Sequence, residues 1–578
     1  MSGPRRPGTL RGFLALSQPW LLRPRTIGGL LLLLGLTGVQ VMFAVLFNGW
    51  TADLFDALER RDGGRLWREV GVFALLVLGI MLSNASQLVA KRALTLSWRR
   101  ALTERLLQGW MAGGEIWRLA QTPGSPDNPD GRIAEDTRIA AENAIELASG
   151  LIYSIGLLAT FTGILWSLSG VVTVLGVAVP GHMVLLAGVY AAGGAIAAFA
   201  LGAPLARATE QRQAAEADMR FSLAQARENA LGLSLAEGEA LARATVVGLF
   251  GALARAWHRQ TEWLRNLNMF QSAYITLAPV FPILVAAPRY LAAEISLGGL
   301  MQTGQGFQQV VAALSWPVDN AARLAEWRAS AQRILELAEA VRAGDPAEGI
   351  VVSDDSPQGL SFERVVLREP DGRALTAPLS ARIAPGARVA VTGEAQQGGV
   401  LLHAVAGLWP WGDGRIRRPP AARIGALPRA PWLPEGRLAD LLAPPGGAPP
   451  EILVAALEAV WLGGLRDSLD ERDEWDQRLD EQDRYRLAFA RLLLRRPDIV
   501  LLEEPSSVVG AEETAALIGL LSSSLPDAIV MVADRAGIGC PQSLELRLPD
   551  GTAAQTRRRG GARGLIEWLR RGFPPRAR

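Results

Sequence analysis

The sequence predicts an α-helical membrane domain of about six spans followed by an α/β domain built around a P-loop-like turn. Three observations carry this reading. Apolar runs of bilayer-spanning length, about 20 residues each, fill the first half of the chain. Long arginine-rich stretches separate them on one side only. In the second half, short β-branched runs alternate with helical segments, and one run opens into a glycine-rich turn.

Residues 27–47 and 70–90 are the clearest spans, and 144–166 and 183–201 are similar, the latter following a Pro180-Gly181 break. Residues 273–287 and 295–310 are weaker, interrupted by Pro279, Pro282, Gly304 and Gly306. Such interruptions are tolerated where a span lines a protein interior or cavity. The polar stretch 91–143 contains Arg92, Arg99, Arg100, Arg105, Arg118, Arg132 and Arg138, and 202–271 is equally rich in arginine. The opposite connections differ: 48–69 is mixed, 167–178 uncharged and 288–294 brief. The positive-inside bias therefore places the N-terminus and both long stretches in the cytoplasm. Helix formers without proline fill 207–270, so the spans are expected to continue into the cytoplasm as helices.

Composition agrees with a membrane protein of more than one domain. The chain has 578 residues, 49% of them hydrophobic, and a mean hydropathy of +0.18. Net charge is +2, yet the pI is about 9.0 because the basic residues are almost all arginine. With abundant Ala, Gly and Leu, that bias reflects a GC-rich genome and implies no nucleic-acid partner. The lone Cys540 excludes an internal disulfide framework and a cysteine metal cluster. His182, His258 and His403 lie far apart and read as incidental, so no metal site is expected. The basic N-terminus lacks a small-residue cleavage site and does not read as a signal peptide.

Domain boundaries follow from these patterns: a membrane domain over 1–342, a linker over 343–358, an α/β domain over 359–555 and a basic tail over 556–578. The tail is a solvated end or a contact for anionic lipid. In the α/β domain, the strand 389–391 runs into a turn and a helix, the setting a P-loop requires. The pattern G-x-x-x-x-G-K-[ST] puts a lysine on the β/γ-phosphates and a hydroxyl on magnesium. Gly393 and Gly398 take the glycine positions, but Gly399 replaces the lysine and Val400 the hydroxyl. Lys91, the only lysine, lies in the other half. By itself the loop also fits an ordinary strand–turn–helix.

Six spans with long cytoplasmic extensions, then an α/β domain with such a turn, resemble an ABC half-transporter of the exporter type. More narrowly, the chain resembles the bacterial SbmA/BacA-like group and the related ABC subfamily D, carriers of peptides, cobalamin and fatty-acyl compounds. NPDGRIAED at 128–136 resembles a segment of that group's first cytoplasmic loop. EADMRF at 216–221, RENA at 227–230 and EGE at 237–239 resemble its second. NGWTADLFDALERRD at 48–62, LSWRRALTERLLQGWM at 96–111, GLWPWGDGRI at 407–416 and RLAFARLLLRRPD at 486–498 fit as well. The resemblance covers nearly the whole chain. It implies that Asn128, Arg132, Glu216 and Arg220 transmit movement between the two domains.

The same resemblance exposes what the ATP site lacks. The signature LSxGEQQR stands as LDEQDRYR at 479–486, with Asp480 for its serine and Gln482 for its glycine. The magnesium-linked aspartate corresponds to Glu503, and Glu504 stands where the catalytic base belongs, a vestigial position here. Arg429 matches the Q-loop glutamine, Asp534 the switch histidine and Gly510 the D-loop aspartate. No adenine-stacking aromatic is evident near Glu369. ATP and magnesium are thus expected by family resemblance only, with no functional cofactor and no hydrolysis. An intact partner would not rescue the site, since this chain is defective in both its P-loop and its signature.

The expected function is an inner-membrane transporter with a pseudo-ATPase domain, working as a homodimer or as a heterodimer with another half-transporter. Its cargo would be a peptide, a cobalamin-like compound or a hydrophobic acyl solute. Proton coupling directs attention to Glu142, Glu146, Arg289 and Glu294 near the span ends, which also fit plain interfacial charges. The alternatives are a non-transporting regulatory or scaffold half-subunit that pairs with an intact ABC partner, and an ordinary ATP-driven pump with a divergent site. The topology is testable by cysteine substitution. Cysteines at Ser125 and Ser222 are expected to react only from the cytoplasmic face of intact cells, and outside labelling of either overturns the assignment.

Overall fold

The structure is a computed structural model that describes residues 8–174, 177–343, 349–357, 359–392, 395–534, 544–547 and 552–555. The basic tail expected over 556–578 lies outside the described residues. The chain divides into two units: residues 1–107 with 128–337, and residues 108–127 with 338–578. The second unit therefore includes a short segment from the first arginine-rich stretch.

The first unit is helical. Its helices are α1 (Thr9–Leu21), α2 (Pro24–Glu59), α3 (Gly63–Trp110), and, beyond the short α4 (Glu115–Gln121) of the second unit, α5 (Thr137–Ser169). Then come α6 (His182–Glu228), α7 (Glu239–Leu291), α8 (Leu297–Asp319) and α9 (Ala321–Ala343). Among the described residues, five helices are long and apolar enough to cross a membrane: Pro24–Glu59, Gly63–Trp110, Pro129–Ser169, His182–Glu228 and Glu239–Leu291. At about 1.5 Å per residue, a helix of 53 residues such as α7 is far longer than the roughly 30 Å of hydrocarbon. The long polar stretches thus continue the spans as helix. Pro279, Pro282 and Pro288 sit inside α7 without ending it.

The sixth expected span, 295–310, is not among those five. It lies at the start of α8, where Gln302, Thr303, Gln305, Gln308 and Gln309 dilute the hydropathy. Phe307, Val310 and Val311 of α8 nevertheless bury against Leu157, Phe161, Leu165, Ala187 and Ala286. Helix α8 is half apolar and half polar because one face fills the core of the unit.

Several of the sequence segments singled out above acquire plain structural roles. The backbone N–H of Gly298 donates to Asp56 Oδ1 at 2.9 Å and that of Leu297 to Glu59 Oε2 at 3.0 Å, so two carboxylates of α2 satisfy the N-terminus of α8. Gly298 must be glycine here, since a Cβ would lie 2.2 Å from the Ala52 carbonyl oxygen. Asn48, fully buried, donates to the Gln302 carbonyl at 3.2 Å and to Gln305 Oε1 at 3.1 Å. Trp98 stacks on Trp20 with centroids 4.6 Å apart and donates to Ser17 Oγ at 2.9 Å, which holds α1 to α3. The uncharged connection 167–178 is a hairpin, Val171–Val174 antiparallel to Val177–Pro180. Gly181, at φ +67°, starts α6 immediately after it.

The second unit contains a six-stranded sheet and a four-stranded sheet. Its main strands are β1 (Arg388–Thr392), β2 (Ile424–Leu427), β3 (Ile499–Glu503), β4 (Ile529–Ala533), β5 (Leu544–Arg547) and β6 (Thr552–Gln555), in the order β6-β5-β1-β4-β3-β2. All pairings are parallel except β5 with β6. Strands β3 and β4 are buried along nearly their whole length, as expected of parallel strands covered on both faces. One face packs α10 (Ala395–Ala406) and the four-stranded sheet, through Val400, Leu401, Val405 and Trp409. The other packs α11 (Glu481–Arg495) and α12 (Ala511–Ser524), through Tyr485, Phe489, Leu517 and Leu521.

Candidate functional site

The carboxyl ends of β1, β4 and β3 lie side by side, with Glu503 in register with Ala533 and Ala533 with Val391. In open α/β sheets this is where ligands bind, next to the helix that leaves the first strand. Here that helix is α10. Gly393 lies outside the described residues. Gly398 and Gly399 hold α10 against the sheet: a Cβ on Gly398 would lie 2.9 Å from the Ala533 Cβ, and one on Gly399 would lie 2.5 Å from Glu503 Oε1. Val400 is buried in the core at 5% exposure. A carboxylate thus faces the position from which a P-loop lysine would extend.

The other carboxylates have protein partners. Asp534 accepts from the Ser506 N–H at 2.9 Å and from its hydroxyl at 2.6 Å. Glu504 holds a left-handed backbone at φ +42° and donates its N–H to the Ala533 carbonyl at 2.8 Å. Arg429 reaches Glu504 at 3.8 Å, and its side chain is 60% exposed, so this long surface pair contributes little. Asp480 is the N-cap of α11 and accepts from the Asp483 N–H at 2.7 Å. Its carboxylate fills the anion position at that helix start. Gln482 is exposed on the first turn.

Several residues not expected at the site are drawn to it. His403, expected to be incidental, stands one turn beyond Gly399 with Nε2 3.5 Å from Glu503 Oε2. The i, i+4 spacing from Gly399 was its only trace in the sequence. The Trp117 ring of α4 meets His403 edge-on, with centroids 5.3 Å apart, so a segment of the first arginine-rich stretch touches the same helix. Tyr485 is fully buried. Burial, then the charges of Asp534 and Glu503, push its phenol pKa well above the usual value, and it stays neutral. Arg486 forms a two-pronged pair with Glu513 at 2.6 and 2.7 Å and also binds Asp483 at 2.7 Å.

The four expected coupling residues separate into two pairs. Asn128 turns the chain in a left-handed conformation at φ +44° ahead of Pro129. Four residues on, within the π-helical turn Arg132–Asp136, Arg132 is buried and donates to Glu336 Oε2 at 3.0 Å and to the Arg333 carbonyl at 2.9 Å. Asp136 is equally buried and accepts from Arg333. This crossed pair joins the start of α5 to α9. Glu216 and Arg220 are exposed on α6 and make no ion pair among the described residues. The span-end charges are all paired: Glu146 with Lys91 at 2.9 Å, Glu142 with Arg138 at 3.2 Å, and Glu294 with Arg289 at 3.0 Å.

A unit of spanning helices joined to a doubly covered parallel sheet, with a glycine-lined helix start at the carboxyl ends of its strands, is the half-transporter architecture of ABC exporters. The structure of a bacterial Atm1-family ABC exporter with ATP bound superposes with a TM-score of 0.66 over 96% of this chain and 99% of that one, at 18% identity. The family described as ABC transporter transmembrane region 2 matches residues 22–291. The inner membrane ABC transporter ATP-binding protein YddA of Escherichia coli is 30% identical over 91% of this chain and 95% of its own length. The chloroplastic ABC transporter D family member 2 of Arabidopsis thaliana is 26% identical over 85% and 78%. The chain therefore belongs to the ABC transporter family, as a half-transporter related to subfamily D.

Arg132 tests the crossed pair. Arg132→Ala removes the charged donor to Glu336 Oε2 and a second donor to the Arg333 carbonyl, and is expected to destabilise the first unit by about 2 kcal/mol. Arg132→Lys should lose less, because it keeps the charge but not the two-point geometry. Thermal unfolding of the purified proteins should rank them wild type, Lys, Ala, and equal midpoints for all three contradict the role.

Proposed function

We propose that this half-transporter moves a solute across the bacterial inner membrane without hydrolysing ATP in its own second unit. The approach of Glu503 to Gly399 carries this reading. A magnesium triphosphate needs a cation at that position and a hydroxyl beside it, and the chain offers a carboxylate, no side chain and a buried Val400. Glu504 and Asp534 add negative charge, while Asp480 already caps the helix that would present donors to a partner's phosphate. These residues do not fit the nucleotide. One lost phosphate-stabilising donor removes about 3–4 kcal/mol of transition-state binding, or 10²–10³ in rate, and here several are lost together.

The fold does not need the nucleotide. The apolar strands bury on both faces, and Ser506 satisfies both Asp534 oxygens. Transport then draws on a gradient, protons being the first candidate, with a peptide, a cobalamin-like compound or a hydrophobic acyl solute as cargo. Helix α8 supplies the sixth span, with Leu300, Phe307, Val310 and Val311 packed into the core of the first unit. The N-terminus and the second unit lie in the cytoplasm.

Purified protein in nanodiscs is expected to show no ATP turnover above that of Glu504→Gln, and magnesium-ATP should leave its unfolding temperature unchanged. Turnover that Glu504→Gln abolishes would overturn the proposal and make this an active pump. Because one half carries a single set of spans, two halves must pair around a pathway. Native mass measurement in nanodiscs should accordingly give a dimer, and a monomer alone in native membrane extracts contradicts it.

A further inference from the structure

A second site lies at the open edge of the parallel sheet, away from the strand ends. Strand β2 has one neighbour, β3. The Arg423 carbonyl, just before β2, accepts from the N–H groups of Asp498 and Ile499 at 2.8 and 3.2 Å. Backbone groups alternate sides along a strand, so those of Ile424 and Ala426 face outward. No backbone hydrogen bond joins that edge to another segment among the described residues. Open edges of this kind take up added strands unless they are covered or blocked.

A groove of about 870 Å³ runs along this edge, bordered by the C-terminal half of α11 and by Trp432, whose side chain is 74% exposed. Its cations distinguish it. Many arginines of the unit are tied to carboxylates, as in Arg417–Asp355, Arg418–Asp354, Arg437–Asp440 and Arg486–Glu513, and so is Arg423 at the start of the groove, with Asp498. Arg491, Arg495 and Arg496 all line the groove, and none has an ion pair among the described residues. The end of α11 accounts for part of this, since cations suit a helix C-terminus. It does not account for Arg491, whose Nε is buried without an acceptor. Burial and the adjacent Arg495 charge pull the Arg491 pKa down, so a nearby anion would relieve both.

We propose that this groove binds an acidic peptide segment of a partner protein, added as an extended strand along β2. The outward N–H and C=O groups supply the pairing, and alternate side chains of the strand supply specificity. Glutamate or aspartate side chains meet Arg491, Arg495 and Arg496, and an apolar residue covers Trp432. A phosphate-bearing molecule would satisfy the arginines and leave the strand edge unused, so the two chemistries separate experimentally.

The test uses full-length protein in detergent and a fluorescein-labelled peptide of alternating glutamate and valine, read by anisotropy. Saturable binding is expected, weakened about tenfold by Arg495→Glu and largely retained by Arg495→Lys. Ala426→Pro alters no charge and removes one outward N–H at an exposed edge position where proline is tolerated. It is also expected to weaken binding several-fold. No binding overturns the proposal. So does binding that Ala426→Pro leaves unchanged, and so does a site that takes inorganic tripolyphosphate but not the peptide.

Discussion

The approach of α10 onto the carboxyl ends of β3 and β4 governs the second unit. Gly398 and Gly399 allow it, because any side chain there would press on Ala533 or on the Glu503 carboxylate. Close approach brings Val400, Leu401 and Val405 into the core, and three fully buried side chains of this size contribute about 1.5–3 kcal/mol each. The same approach sets the electrostatics of the strand ends. With no lysine or arginine on α10, the charge that lies over Gly399 is the Glu503 carboxylate.

Arginine does most of the polar structural work. In the first unit Arg132 and Arg333 bind α5 to α9, and Arg289 holds the end of α5 through the Leu168 and Ser169 carbonyls at 2.6 and 2.7 Å. In the second, Arg388 gathers the carbonyls of Gly386, Ala528 and Leu525. A planar guanidinium can serve several acceptors at once where an ammonium offers only a point charge. That accounts for a chain with one lysine having no shortage of internal ties. It also makes Arg491, Arg495 and Arg496 beside β2, which have no ion pair among the described residues, stand out.

The fold was largely legible in the sequence. Run lengths marked the five spanning helices, and β-branched runs at 389–391, 499–502 and 529–532 fell within the parallel strands β1, β3 and β4. Of the two segments marked as weak, 273–287 lies in a helix of spanning length and hydropathy, whereas 295–310 does not reach it because its glutamines, Gln305 beside Asn48 among them, dilute it. The hairpin after α5 was not legible, because the valine-rich runs 171–174 and 177–179 read equally as an apolar loop. Of the site, the replacement of lysine by Gly399 and of hydroxyl by Val400 could be read directly from spacing. Trp117 could not, because it reaches α10 from a separate part of the chain. Nor could the partners of His403 and Ser506, because Glu503 and Asp534 lie at the ends of strands distant from them in sequence.

Sequence alone determined which chemical groups are present at the strand ends and which are not. A local pattern of strand, turn and helix places its own side chains, and no folding can restore a lysine that is not encoded. Tertiary structure decided what those groups do with one another. Asp534 turns to Ser506, Asp480 closes the start of its own helix, and Glu503 lies over Gly399 with His403 beside it. It also decided which arginines are spent on carboxylates and which stay unpaired. The physical reason is range: hydrogen bonds and ion pairs form within about 3–4 Å, and only the packed chain brings residues separated by tens to hundreds of positions that close.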